Sequence, residues 1–108
     1  MRRVLVVDDD KLVLAALQRL LRWECDVETA AGAVEALIKC VGFRPDVVLA
    51  DNGMPYMSGV ELLSELQARH SGCRKILLSG NEATCAGPFE VIPKPWDTEA
   101  LLRLVLEG

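Results

Sequence analysis

The sequence predicts an α/β fold, a doubly wound, five-stranded parallel sheet with helices on both faces. Three observations predict it. The apolar pattern switches regularly between short continuous runs and helix-spaced segments. The runs VLVV, VVLA and ILL lack polar alternation, as strands covered on both faces do. No repeat or Pro/Gly/Ser-rich linker interrupts the alternation, so the 108 residues read as one domain, 1–108.

The first strand, Arg3 to Val7, runs into three consecutive carboxylates, Asp8, Asp9 and Asp10. Asp10 is placed to cap a first helix from Lys11 to Trp23. Its apolar face is Val13, Ala16, Leu17, Leu20 and Leu21, and Arg19 and Arg22 sit favourably in its last turn. A second strand, Cys25 to Thr29, leads to a helix from Ala33 to Val41. There Val34, Leu37, Ile38 and Val41 repeat the apolar face, and Gly42 supplies the stop. The third strand, Asp46 to Ala50, precedes Asp51. Ser58-Gly59-Val60-Glu61 is a capping box opening a third helix through Leu62, Leu63 and Leu66 to Arg69 and His70. Strands follow at Lys75 to Leu78 and Phe89 to Ile92, then a last helix capped by Asp97 or Thr98 and carrying Leu101, Leu102 and Val105. Only the eight residues NEATCAGP join the last two strands, where a parallel crossover usually takes a dozen or more. One helical turn at most fits there, so the fourth helix of the alternation is shortened or missing.

Composition narrows the function classes. A net charge of -4 and a pI near 4.9 argue against non-specific binding to nucleic acid or to an anionic membrane. The N-terminus lacks a signal-peptide core and no run reaches membrane length, so the expected location is cytoplasmic. The four cysteines, Cys25, Cys40, Cys73 and Cys85, form no CxxC pair and read as reduced thiols. His70 and Cys73 are spaced like a ligand pair, but no second pair completes a zinc site.

Chemistry concentrates at the predicted strand ends: Asp8 and Asp9 after the first, Asp51 after the third, Ser79 after the fourth, Lys94 after the fifth. In a doubly wound sheet these ends converge on one crevice. Three carboxylates there suit a hard cation with oxygen ligands such as Mg²⁺, Asp8 and Asp9 serving one directly and one through water. A carboxylate beside the metal can attack phosphorus, and Asp51 fits that role. The Lys94 ammonium, the Ser79 hydroxyl and backbone N–H groups after Asp51 have the chemistry to neutralise phosphoryl oxygens. Taken singly, each has a plain reading: a loop and helix cap at Asp8 to Asp10, turns at Asp51-Asn52-Gly53, Ser79-Gly80 and Lys94-Pro95. Jointly they fall on one edge with complementary charge.

VLVVDDD, PDVVLADNGMPYMSG with its D-x-x-M-P and following Gly, ILLSG and PKP, in this order on alternating elements, resemble the response-regulator receiver domains of two-component signalling. The resemblance covers essentially the whole chain. It implies the flavodoxin-like receiver fold with strand order 2-1-3-4-5. It further implies Asp8 and Asp9 as the acidic metal-binding pair, Asp51 as phosphoacceptor and the Gly53 carbonyl as a further metal ligand. Ser79 becomes the hydroxyl switch residue and Lys94 the partner of the phosphoryl group, with a cis Lys94-Pro95 bond. The implied function is a signalling switch, not an enzyme acting on a separate substrate. A histidine kinase or phosphotransfer protein donates to Asp51, and the domain catalyses only its own phosphorylation and dephosphorylation. An output domain or target protein, unidentified, reads the change. Gly53 and Asn81 hold positions that tune the reset rate. A homodimer is compatible with this reading, and the unit is either free-standing or part of a larger kinase or regulator. Two departures stand out: Val91 replaces the family's usual Tyr or Phe, and NEATCAGP shortens a usual output surface.

Two rival readings are a haloacid-dehalogenase-type phosphatase and a receiver-like module that binds protein without phosphorylation. VLVVDDDKL resembles the phosphatase D-x-D motif, with Asp8 as nucleophile and Asp10 as acid. The chain is short for that family and lacks its later acidic motif. The intact acids and Lys94 count against the second rival.

Overall fold

The computed structural model describes residues 1–80 and 88–107. Its strands are β1 (Arg2–Val7), β2 (Cys25–Ala30), β3 (Val47–Asp51), β4 (Arg74–Ser79) and β5 (Glu90–Pro93). They pair in parallel in the order β2-β1-β3-β4-β5, the expected doubly wound sheet. The helices are α1 (Lys11–Leu21), α2 (Ala33–Phe43), α3 (Gly59–Arg69) and α4 (Thr98–Glu107). The expected shortening of the helix between the last two strands, together with Asn81 and Cys85, falls on residues 81–87, outside the described residues.

Side chains alternate across each strand, so the sheet builds a core on either face. Val4, Val6, Val47, Leu49, Ile76 and Leu78 meet Leu14, Leu17 and Leu21 of α1 and Leu101 and Val105 of α4. On the other face Leu5, Val7, Val48, Ala50 and Leu77 meet α2 and α3 through Ala33, Ala36, Cys40, Leu62, Leu63 and Leu66. Burial of the Cys40 thiol pushes its pKa up to about 11, which keeps it protonated and inert.

Helix caps follow local chemistry. The Leu12 N–H donates to Asp10 Oδ1 at 2.9 Å, and the Glu99 and Ala100 N–H groups donate to Asp97 Oδ1 at 2.9 and 3.3 Å. At α3 the Glu61 N–H donates to Ser58 Oγ and the Ser58 N–H to Glu61 Oε1, both at 3.1 Å, a complete capping box.

Helix faces differ from the periodicity at two places. On α1, Leu14 is buried and Ala16 is exposed, a rotation of the stripe by part of a turn. On α2 the expected apolar face is largely outward: Val34, Ile38 and Val41 are 72, 68 and 69% exposed, and Ala33, Ala36 and Cys40 are buried instead. This helix is apolar nearly all round, so spacing alone does not choose the inward side. The side with small side chains faces the sheet. Gly42 also fails to end α2. The helix runs on to Phe43 and stops because Pro45 cannot continue it, with Arg44 taking the left-handed cap at φ 53°.

Among the described glycines, Gly59 at the β3–α3 junction is the most closely packed. A Cβ on Gly59 would lie 2.6 Å from the Asp51 carbonyl oxygen and 2.9 Å from Asn52 Cα, and backbone does not move aside cheaply. Asn52 ties the loop down: its carbonyl accepts the Gly59 N–H at 3.3 Å and its Oδ1 accepts the Val60 N–H at 3.2 Å. Between them Tyr56 holds φ 68° with its side chain fully exposed, a conformation that costs an L-residue about 1 kcal/mol or more.

Gly59→Ala is expected to destabilise the domain by roughly 3 kcal/mol through this overpacking, read as a lowered denaturation midpoint at unchanged slope. A midpoint within experimental error of wild type would show that α3 can retreat freely. Tyr56→Gly is expected to raise stability by about 1 kcal/mol as the strain is relieved. A loss on that substitution would mean the ring makes a contact that outweighs the strain.

Candidate functional site

Register sets the site. Val7 pairs with Ala50, so the next residues, Asp8 and Asp51, leave adjacent strands side by side. Ser79 pairs with Pro93, which puts Lys94 at the next step along β5. This is the point where the order reverses between β1 and β3, the usual ligand position in such sheets.

Asp8 is 1% and Asp51 7% exposed, while Asp9 is open to solvent. One carboxylate oxygen from each lies within 4.8 Å of the others. Lys94 Nζ sits 2.5 Å from Asp51 Oδ1 and 3.4 Å from Asp8 Oδ2. Asp8 Oδ1 also accepts the Asp10 N–H at 2.9 Å. Ser79 is buried at the end of β4, and its carbonyl accepts the Lys94 N–H at 2.9 Å. The Gly53 backbone passes beside Asp51: a Cβ there would lie 3.5 Å from Oδ2. The Lys94–Pro95 peptide is cis, as the resemblance implied.

Electrostatics follow from burial. Loss of water pushes the Asp8 carboxyl above its ordinary pKa; the Asp10 N–H pulls it back, the Asp51 charge pushes further, and Lys94 offsets part. For Lys94, burial alone would lower the pKa. The hydrogen bond and charge of Asp51, with the charge of Asp8, outweigh burial and hold the ammonium above its usual value.

The donor set fits a small hard cation. Oxygen ligands about 2.1 Å from Mg²⁺ lie about 3 to 4 Å from one another, so oxygens within 4.8 Å need only a small contraction. Asp8, Asp9 and Asp51 are the residues that would hold it. Among the described residues no other group of three or more His, Cys, Asp or Glu ligands gathers. His70 and Cys73 make no such group; the Cys73 thiol donates to the His70 carbonyl at 3.3 Å. Asp10 is engaged as a helix cap, which leaves the phosphatase reading without its acid.

The sequence missed three supporting residues. Gly59 was legible only as part of a cap, and Asn52 only as a turn residue. Arg74 gave no signal. It forks onto Glu90 with Nε at 2.8 Å and Nη2 at 2.9 Å, and its Nη1 donates to the Leu104 carbonyl, tying β4, β5 and α4 together. Val91, at the family's aromatic position, is 44% exposed on β5.

Fold and site together define a doubly wound α/β domain with an acid-and-amine pocket at its sheet reversal. The chain belongs to the response regulator receiver domain family, whose model matches residues 4–106. Response regulator MprA of Mycobacterium sp. (strain KMS) is 34% identical over 93% of this chain and 47% of its own length. Transcriptional regulatory protein PrrA of Mycobacterium leprae is 40% identical over 95% of this chain and 48% of its own. The chain thus spans about half the length of these curated relatives. Among solved structures, a CheY-like receiver domain protein from Methanospirillum hungatei superposes with a TM-score of 0.91 at 32% identity, covering 99% of this chain and 92% of that one. Response regulator protein TrrA of Thermotoga maritima, solved in complex with Mg(2+)-BeF, gives 0.89 at 27% identity over 99 and 98%. This is therefore a signalling domain of two-component systems. No helix among the described residues is long and apolar enough to cross a membrane.

Asp8 and Lys94 are expected to affect stability with opposite sign in the absence of metal. A raised native pKa means that the folded state binds the Asp8 proton more tightly. The resulting stabilisation is complete below the unfolded pKa and lost as pH rises through the native value, so at neutral pH Asp8 is a net cost. Asp8→Asn should raise the melting temperature by roughly 3 °C at neutral pH and lose that advantage in acid, while abolishing the stabilisation that added Mg²⁺ gives wild type. The raised Lys94 pKa contributes stability at neutral pH that disappears only above its unfolded value. Lys94→Met should therefore cost about 1 kcal/mol, partly recovered by Mg²⁺. Equal melting shifts of the same sign in both variants would refute this balance.

Proposed function

We propose that the chain is a phosphorylation-dependent switch whose phosphoacceptor is Asp51. One observation carries the reading: the buried Asp51 carboxylate is held 2.5 Å from the Lys94 amine, beside Asp8 and Asp9. A nucleophile, its counter-charge and a cation-type donor set share one pocket. Asp51 attacks the phosphorus of a phosphohistidine on a histidine kinase or phosphotransfer protein. The P–N bond breaks as the acyl P–O bond forms, and the imidazole departs with a proton. Lys94, released from its ion pair as the Asp51 charge moves outward, follows the phosphoryl oxygens. The Ser79 hydroxyl, one strand away, turns to bind the same group. Asp8, Asp9, Asp51 and the Gly53 carbonyl would hold Mg²⁺, which when bound would supply charge neutralisation at the phosphoryl oxygens.

The chemistry is the domain's own phosphorylation and hydrolysis, with no separate substrate turned over. Residues 1–108 act as one cytoplasmic receiver unit. Its signal passes to an output domain or target protein, and the acidic unit itself does not bind nucleic acid directly. Val91 is too small to act as a rotating ring, so the shift in population runs through Ser79, Lys94 and the loops rather than through an aromatic rotamer. Gly53 and Asn81 set the reset rate.

The test is intact mass after incubation with acetyl phosphate and Mg²⁺. Wild type should gain a single base-labile phosphoryl adduct, and Asp51→Asn none. The same adduct in both proteins would remove Asp51 from the role, and no adduct in either would favour a receiver-like module that only binds protein.

A further inference from the structure

Two cysteines share a cavity at the edge of the sheet opposite the acidic pocket. Cys40 lies in the last turn of α2 and Cys73 immediately precedes β4, and both line a cavity of about 410 Å³ together with Arg44, His70 and Gly72. Cys40 is buried, while Cys73 is half-buried and within reach of solvent. The loop that carries Cys73 has space to shift, since a Cβ on Gly72 would meet nothing within 4 Å.

The charges around the pair have one sign. Among the described residues no acid lines the cavity, and Arg44 in its wall is exposed and forms no ion pair. Lys75, behind it, is only 5% exposed. Its ammonium donates to the His70 carbonyl at 3.0 Å and to the Cys73 carbonyl at 2.6 Å, and no carboxylate pairs with it among the described residues. A buried ammonium without an anion is costly, and a thiolate beside it would lower that cost. Burial is the main cause of the raised Cys40 pKa; a charge on Cys73 adds to it and the Lys75 charge offsets part, so the three groups act on one another. A partly exposed thiol among cations is the setting in which cysteine becomes reactive.

We propose that Cys40 and Cys73 form a reversible disulfide in the presence of a peroxide, stapling the end of α2 to the start of β4. The Cys73 thiolate attacks a peroxide oxygen and the O–O bond breaks. The sulfur gives up two electrons as it becomes a sulfenic acid, and the departing hydroxide leaves as water with the proton the thiol had shed. Cys40, inert towards reagents in solvent, meets an oxidised sulfur within the protein instead. Its sulfur attacks that of Cys73, the S–S bond forms as the S–O bond breaks, and the hydroxyl leaves with the Cys40 proton as a second water. A thiol reductant reverses the bond. The cross-link closes the chain from residue 40 to residue 73, a span that should raise the melting temperature by roughly 5 to 10 °C.

The test treats the reduced chain with a small excess of hydrogen peroxide, caps the remaining thiols with iodoacetamide in denaturant, and reads intact mass and digest. Two of the four thiols should escape capping, and the digest should hold a Cys40–Cys73 linked pair that dithiothreitol separates. Cys40→Ala should leave Cys73 as a sulfenic acid that dimedone captures. Cys73→Ser should leave Cys40 as a free thiol, and Cys25→Ser should cross-link like wild type. Circular dichroism checks that the variants stay folded, and Cys73→Ser, at the half-buried position, carries the test where Cys40→Ala perturbs the core. Linkage of Cys73 to Cys25 or Cys85, linkage between two chains, or four cappable thiols after peroxide overturns the proposal. So does an oxidised protein that melts no higher than the reduced one.

Discussion

Mutual repulsion among Asp8, Asp9 and Asp51 is the constraint on which the rest of the molecule is built. Oxygens within 4.8 Å carry like charge, and two of the three side chains are almost fully withdrawn from water, where screening is poor. Such a set does not persist by itself. Asp8 and Asp51 are held together because β1 and β3 end in register, and those strands are fixed by apolar packing on both faces. Lys94 supplies the opposing charge from the end of the edge strand β5, 2.5 Å from Asp51. The acids cost stability that the core supplies, and the arrangement they reach offers the oxygen donor set of a hard cation.

The loop after β3 serves the same end by geometry. Gly59 lets α3 begin hard against the Asp51 carbonyl, and Asn52 spends both its carbonyl and its side chain on the start of that helix. The position of Asp51 is thus set by the packing of a helix terminus. Tyr56 is the exception, a bulky side chain in a backbone region that favours glycine. Strain of this kind, at the lip of the acidic pocket, persists only where the surrounding structure enforces it.

The sheet and the pocket were legible in the sequence because each rests on a strong local signal. Continuous apolar runs marked buried strands, and carboxylates, hydroxyl and amine fell at strand ends that doubly wound topology must bring together. What escaped was whatever depends on a neighbour's shape. The inward face of α2 could not be read, since Ala33, Ala36 and Cys40 alternate with larger residues and only the space above the sheet decides between them. The stop at Arg44 rather than Gly42 depends on Pro45, and the roles of Gly59 and Arg74 exist only through atoms distant in sequence.

The anchoring of Lys94 has a consequence of its own. The amine leaves a four-residue border strand that pairs on one side only, with β4, an attachment that the Arg74 fork to Glu90 reinforces. The acids, by contrast, stand at or just beyond the ends of the central strands β1 and β3. Fraying at the margin of the sheet therefore withdraws the counter-charge while the anions stay in place. Were that border to open first, it would act as a fuse, disabling the pocket while the body of the domain still stood.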